Sequence, residues 1–415
     1  MKTLFALILF ISLSADLQAQ TESLADSLHT VEEELVTDAW ALHERIITID
    51  SHGDFPLESC EMPDHQVDVP KMKAGGLDAV FEIVFTRQVE RTKENREEAR
   101  RRALEHFQTI HDGVRRCHDD VELARTPEGL ERIVGSGKLA VAIGIENGFP
   151  IGNDLALLET YHELGAAYVG LTHYGHNDLS DSSNPSDELG DEASEHGGLS
   201  ELGRRVIAEM NRLAIMVDVS HMSREATLDA VRLSLAPVIA SHSSIFSITP
   251  NPRNMDDETL LALAARGGVI QITPVHSFIK VDPPGVMEAY FALLDEFELA
   301  DVYEADELPP GRRAEFDARL AEQDKHWALA TVVHFVDHID YAVGLVGVDH
   351  VGIGSDFSGR GGEAGVTGWS DASETMNVTA ELLRRGYTEE EIRKIWGGNL
   401  LRVWKEVRRL AEDSP

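Results

Sequence analysis

The chain has 415 residues, 42% of them hydrophobic and 27% charged, an ordinary composition for a globular protein with a large core. Lys and Arg number 37 against 73 Asp and Glu, a formal net charge of −36. So acidic a chain repels phosphate backbones and anionic headgroups, which excludes nucleic acid and electrostatic membrane binding as functions.

Residues 1–19 read as a signal peptide. Lys2 supplies the positive start, Leu4 to Leu13 a short apolar run, and Leu17-Gln18-Ala19 a cleavage site. The run is too short to span a bilayer, and no later stretch reaches the ~18 uninterrupted apolar residues that a membrane helix needs. The mature chain is therefore expected to be periplasmic or secreted, with no transmembrane segment. Residues 20–45 read as a polar helical lead-in. From there on, short β-type apolar runs alternate with longer helical patterns. The runs are Ile46 to Asp50, Ala79 to Phe85, Leu139 to Ile145, Tyr168 to Thr172, Ile215 to Ser220, Pro237 to Ser241, Gly268 to Thr273 and Val351 to Ser355. Lys93 to Cys117 and Leu199 to Leu213 are helical patterns between them. Strands alternating with helices indicate parallel βαβ units, and eight such units imply a closed (β/α)8 barrel, one domain over residues 46–415. The gap before the eighth run holds Pro283-Pro284, Pro309-Pro310 and many acids. It reads as a helical insertion, residues 281–325, rather than a second domain. Cys60 and Cys117 are too few and too far apart for a zinc motif. An exported protein can pair them, but their spacing does not fix the geometry.

Catalytic groups of such a barrel sit at the C-terminal ends of its strands. The first run here ends in His52-Gly53-Asp54, the third in Glu146, the fourth in His173, the fifth in His221, the sixth in His242 and the eighth in Asp356. A single histidine after a strand is more often a structural hydrogen-bonding group than a ligand. Six of eight strand ends carrying His, Asp or Glu is a different matter, because barrel closure brings them into one ring. Carboxylates packed that closely repel one another and take up protons unless a cation joins them. Imidazoles mixed with carboxylates, without thiolate, suit Zn²⁺ and related divalent ions. His52 and Asp54, two apart in an extended segment, point to the same side and can grip one ion. His221 and His242 can grip a second, with Glu146 bridging. Two ions so held could share a hydroxide nucleophile and polarise a carbonyl.

These residues lie in segments that resemble the membrane dipeptidase (renal dipeptidase) family of metallopeptidases, within the amidohydrolase-type barrels. The segments are Ile49-Asp50-Ser51-His52-Gly53-Asp54, Ile143-Gly144-Ile145-Glu146-Asn147-Gly148, Gly170-Leu171-Thr172-His173, Val217 to Ser223, Ala240-Ser241-His242-Ser243, Pro252-Arg253-Asn254, Gly352 to Phe357 and Gly397 to Val403. The likeness runs from about Ile46 to Val403. It implies a binuclear zinc dipeptidase in which a metal-bridging hydroxide attacks the peptide bond of a dipeptide. His52 and Asp54 would ligate the first zinc, Glu146 would bridge, and His221 and His242 would ligate the second. His173 would contact the substrate and stabilise the oxyanion. Arg253 would hold the C-terminal carboxylate, and Asp356 would move the proton from nucleophile to leaving amine. The segment Gln271 to His276 departs from the mammalian members, which bears on specificity rather than reaction type. The chain ends in Glu412-Asp413-Ser414-Pro415, so the hydrophobic tail of a lipid anchor is not expected.

Other readings stay open. Arg253 would serve any substrate with a carboxylate near the scissile amide, so an N-acyl amino acid or lactam amidohydrolase is an alternative. An exported, non-catalytic binding protein is a third. Oligomeric state is also open, although barrels of this family commonly dimerise. His176 could line the pocket. His196, His276, His334 and His338 read as structural or exposed. Asp178 and Asp181 could approach the site or cap a turn.

Overall fold

The eight apolar runs become parallel strands. They are β1 (Ile49–Asp50), β2 (Ala79–Phe85), β4 (Leu139–Glu146), β5 (Ala166–Gly170), β6 (Met216–Asp218), β7 (Ile239–Ser243), β8 (Val269–Ile272) and β9 (Val351–Ile353). They pair in chain order, each parallel to the next. Ser51 N donates to Ile353 O at 3.3 Å and Asp356 N to His52 O at 2.8 Å, which brings the last strand back to the first. The result is the expected barrel. In the computed structural model the described residues are 35–413, apart from positions 54, 56, 58, 64, 282, 300–304, 306, 307, 328, 329 and 358–363. Residues 1–19, read as a signal peptide, residues 20–34 of the lead-in and Asp54 lie outside them.

One short strand was not expected. β3 (Val121–Leu123) pairs with the start of β4, at Leu139 to Val141. β5 meets β4 only from Ile143 onward, so the beginning of β4 has an open edge that β3 fills. Three residues with two apolar side chains carry too little pattern to reveal such a strand.

Side chains alternate along each strand as the pleat requires. Ala79, Phe81 and Ile83 of β2 share an inner cluster with Ala140, Ala142, Tyr168, Met216, Ile239 and Val269. Val80, Val84, Val141, Ile143, Val169 and Val217 face the opposite way, into the layer shared with the surrounding helices. Burial on both faces explains why the strands read as near-continuous apolar runs. The C-terminal helix Asn399–Glu412 supplies Leu400, Val403, Trp404 and Val407 to the inner cluster and stops the end of the barrel away from the strand tips.

The helix Lys93–Arg116 starts where Thr92 accepts from Asn95 N, an N-cap worth ~1 kcal/mol. Cys117 at its far end forms a disulfide with Cys60, in the long connection after β1. A bridge closing a loop of this length contributes ~4 kcal/mol in the chain-entropy model. Residues 35–43 of the lead-in are helical, and His43 ties them down through Gly76 O (3.1 Å) and Thr379 Oγ1 (2.6 Å). The insertion is helical as expected, with Val286–Phe297 and Pro310–Trp327 followed by Val332–Val346. Among the described residues, no helix is long and apolar enough to cross a membrane.

Candidate metal centre

The polar strand ends meet at one point, with Glu146 at the middle. Its Oε1 lies 2.9 Å from His221 Nε2, 3.3 Å from His242 Nε2 and 3.7 Å from His173 Nε2. Its Oε2 lies 3.7 Å from His52 Nε2, which is also 3.6 Å from Asp356 Oδ1. Four imidazoles therefore surround one buried carboxylate, and each turns its Nε2 inward. Asp54, the remaining expected ligand, lies outside the described residues. Arg253 follows β7 as expected. Its Nη2 donates to His242 O at 3.1 Å and its guanidinium lies over Phe278, while Nε has no acceptor among the described residues.

Two of these residues sit on backbone that most side chains avoid. His221 has φ 65° and Asp356 φ 57°. Left-handed geometry costs a residue other than glycine ~1–3 kcal/mol, so it persists only where the surroundings enforce it. Here Ser183 N donates to His221 O (2.8 Å) and Asp356 N to His52 O (2.8 Å). These turns swing both side chains over the barrel mouth.

The electrostatics follow from crowding in a dry site. Burial works against the Glu146 carboxylate, but His173, His52, His221 and His242 outweigh it and hold its pKa well below the usual carboxylate range. Burial also opposes charge on His52, yet Glu146, Asp356 and Asp218 outweigh it and push its pKa up to about 9. His221 and His242 go the other way. Burial, with neighbouring cations, holds both well below the usual imidazole value. Burial likewise lowers His173 to about 4 despite Glu146, with Arg253 adding to the effect.

A layer of polar groups below the strand tips supports the imidazoles, and reasoning from sequence passed over it. Asp218 accepts from Ser241 N (2.8 Å) and Ser241 Oγ (2.7 Å), and Ser241 Oγ lies 2.8 Å from His242 Nδ1. The serine proton goes to the carboxylate, so the serine oxygen accepts from His242 Nδ1–H and leaves Nε2 for the centre. Asp50 accepts from His52 N (3.2 Å) and Ser355 N (2.7 Å). The available signal was a buried carboxylate inside an apolar run, as in Ile49-Asp50 and Val217-Asp218-Val219. Phe85 and Tyr174, whose rings lie 4.9 and 4.6 Å from that of His173, form an aromatic wall that the sequence did not single out either.

Four other histidines singled out in the sequence make structural hydrogen bonds. His176 binds Glu192 O and Ser182 N, His196 binds Asn177 O, His276 accepts from Ala330 N, and His334 completes a helix cap with Thr331. Asp178 pairs with Arg96, and Asp181 accepts backbone N–H groups of its own loop. None of them joins the centre.

The donors fit divalent ions. His52, Glu146 and His242 offer ligand atoms within 4.8 Å of one another, as do Glu146, His173 and His221. Two ring nitrogens, His221 Nε2 and His242 Nε2, face each other at 2.9 Å, an approach that suits a shared ion better than two lone pairs. A parallel barrel with such a centre on its rim defines a metal-dependent hydrolase of the amidohydrolase type. The chain belongs to the membrane dipeptidase family, peptidase family M19, whose model matches residues 36–415.

Relatives agree. The chain is 34% identical over 293 residues to dipeptidase tcpJ of Claviceps purpurea, covering 71% of this chain but only 57% of that protein. It is 29% identical to dipeptidase verJ of Clonostachys rogersoniana, over 88% of this chain and 84% of the relative. The crystal structure of the probable dipeptidase PvdM from Pseudomonas aeruginosa superposes with a TM-score of 0.80 at 32% identity, covering 91% of this chain and 99% of that one.

Proposed function

We propose that this protein is a metallo-dipeptidase that holds two zinc ions and cleaves the peptide bond of dipeptides. The observation that carries this is the convergence of His52, His173, His221 and His242 on Glu146. A zinc pair there would supply an activated water and polarise the scissile carbonyl. His52, Asp54, Glu146, His221 and His242 would hold it.

The chain's own residues carry the remaining work. Arg253 presents a guanidinium fork with a free Nε donor, suited to a planar carboxylate, and so marks where the substrate ends. A peptide extended at its C-terminus would carry its carboxylate away from that anchor. His173 stays neutral at physiological pH and can donate a hydrogen bond to the developing oxyanion. Asp356, 3.6 Å from His52 and partly exposed, takes the proton from the attacking water and returns it to the leaving amine.

Export belongs to the proposal. The apolar run Leu4 to Leu13 and the Cys60–Cys117 disulfide support it, because such bridges persist in oxidising compartments. Cell fractionation tests it, and a wholly cytoplasmic protein would refute it. The chemistry is tested by a panel of L,L- and L,D-dipeptides, tripeptides and N-acyl amino acids, with metal content measured on the same sample. Dipeptide turnover with two zinc equivalents is expected. Rapid turnover of acyl amino acids without dipeptide cleavage would replace this reading.

A further inference from the structure

Below the rim, the barrel axis carries a column of rings. Trp404 of the closing helix lies 5.6 Å from Phe81, Phe81 lies 5.6 Å from Tyr168, and Tyr168 lies 6.4 Å from His52. Tyr168 is fully buried. Its ring fills the slot left by Gly144, where a Cβ would fall 2.2 Å from Tyr168 Cζ. Packing thus fixes the ring and its hydroxyl together.

That hydroxyl lies 3.0 Å from Ser51 O and 2.9 Å from His52 Nδ1, with the Ser241 side chain also beside it. A tyrosine hydroxyl has one proton, and a carbonyl can only accept. The proton therefore goes to Ser51 O, and the oxygen lone pair accepts from His52 Nδ1–H. The competing neighbour, Ser241 Oγ, lies farther from His52 Nδ1, at 3.4 Å, and its proton is committed to Asp218. With Nδ1 protonated, Nε2 is the nitrogen presented to Glu146 and Asp356.

We infer that Tyr168 is a positioning residue for the ion nearest His52. When a metal takes the place of the Nε2 proton, this hydroxyl keeps His52 in the Nδ1–H form, with the Nε2 lone pair aimed into the centre. The inference rests on the metal reading above. It goes beyond that reading in naming a residue that touches neither ion nor substrate and in stating which nitrogen binds. Outer groups of this kind typically affect metal affinity ~10–100-fold.

The test uses the full-length mature protein and zinc alone. Calorimetric zinc titration of the wild type and Tyr168→Phe compares site by site, since phenylalanine keeps the ring in its slot and removes only the oxygen. The expected result is one site weakened ~10–100-fold and the other unchanged, with the metal-free melting temperature retained. Equal zinc affinity in the two proteins would overturn the positioning role alone. A wild type that takes up no zinc would instead overturn the metal reading beneath it. A second measurement needs no variant of Tyr168. In ¹H–¹⁵N spectra of the zinc-loaded wild type, assigned with His52→Gln, His52 should show a protonated, exchange-protected Nδ1 and a metal-bound Nε2. An unprotonated Nδ1 would refute the inference even if Tyr168→Phe fails to fold.

Discussion

The barrel rim and the helical insertion between β8 and β9 are built on opposite principles. At the rim, each functional side chain is held by several others from distant parts of the chain. His242 is fixed through Ser241 and Asp218, and His52 through Tyr168 and the turn at Asp356. The insertion instead packs largely on itself. Leu293, Leu294, Phe297, Ala305 and Phe316 form a small apolar cluster separate from the main core. Its ion pair Arg319–Glu296 also stays inside it. A structure tied by long-range polar contacts changes as a unit, whereas a satellite cluster can open by itself. Substitutions at the rim should therefore reach the chemistry, and those in the insertion should not.

The largest effect is expected from Glu146→Gln. Removing the charge that four imidazoles share should bring both metal content and dipeptide turnover to background, as read by metal analysis and hydrolysis of a dipeptide. Retention of two zinc equivalents would show that the centre does not depend on this carboxylate. Asp356→Asn comes next. Asparagine tolerates the left-handed backbone at φ 57°, so the turn should survive. Zinc should be retained while kcat falls ~10²–10⁴-fold, the usual range for a lost general acid–base. Loss of zinc would make Asp356 chiefly a ligand. Arg253→Ala should leave kcat nearly intact and raise KM ~10–100-fold, the worth of a charge-assisted hydrogen bond to a carboxylate. An unchanged KM would remove Arg253 from the substrate site.

What could be read from the sequence follows the same division. The barrel was legible because segments such as β4 and β5 are near-continuous apolar runs at crossover spacing, and because Glu146, His173, His221 and His242 each stand at or just past the end of such a segment. Closure then had to gather them. The supporting layer was not legible. Tyr168 reads as one more aromatic strand residue, and only the barrel register sets its hydroxyl beside His52. Gly144, which makes room for that ring, looks like any strand glycine. The insertion could be seen to be helical, but the periodicity of Val286–Phe297 does not say that its apolar side chains meet Phe316 rather than the barrel.

A smaller effect, on stability rather than catalysis, is expected where the two regions join. His338, on the helix Val332–Val346, accepts from Ile245 N (3.0 Å) and donates to Ile279 O (3.2 Å), which requires the neutral ring. Burial lowers its pKa from 6.5 to about 4. The unfolded chain takes up this proton first, so stability should be full above pH 6.5, fall as pH drops toward 4, and level off below. One such shift is worth ~3 kcal/mol at most. His338→Gln keeps a donor and an acceptor but cannot titrate. Its denaturant midpoint should lose less between pH 7 and 4.5 than that of the wild type. An identical loss would mean that His338 does not control acid tolerance.

The smallest effect on the chemistry should come from Phe316→Ala. The Phe316 ring packs 5.2 Å from that of Phe297 and is fully buried, so truncation should cost ~3–5 kcal/mol locally. Little of that reaches the rim, because the cluster around Phe316 is distinct from the core that carries the strands. Limited proteolysis should therefore cut faster within residues 286–327, while kcat, zinc content and the main thermal transition stay at wild-type values. A matching fall in kcat would break the contrast between rim and insertion. It would mean that the insertion's small core shapes the mouth of the metal centre, and that specificity as well as stability is stored there.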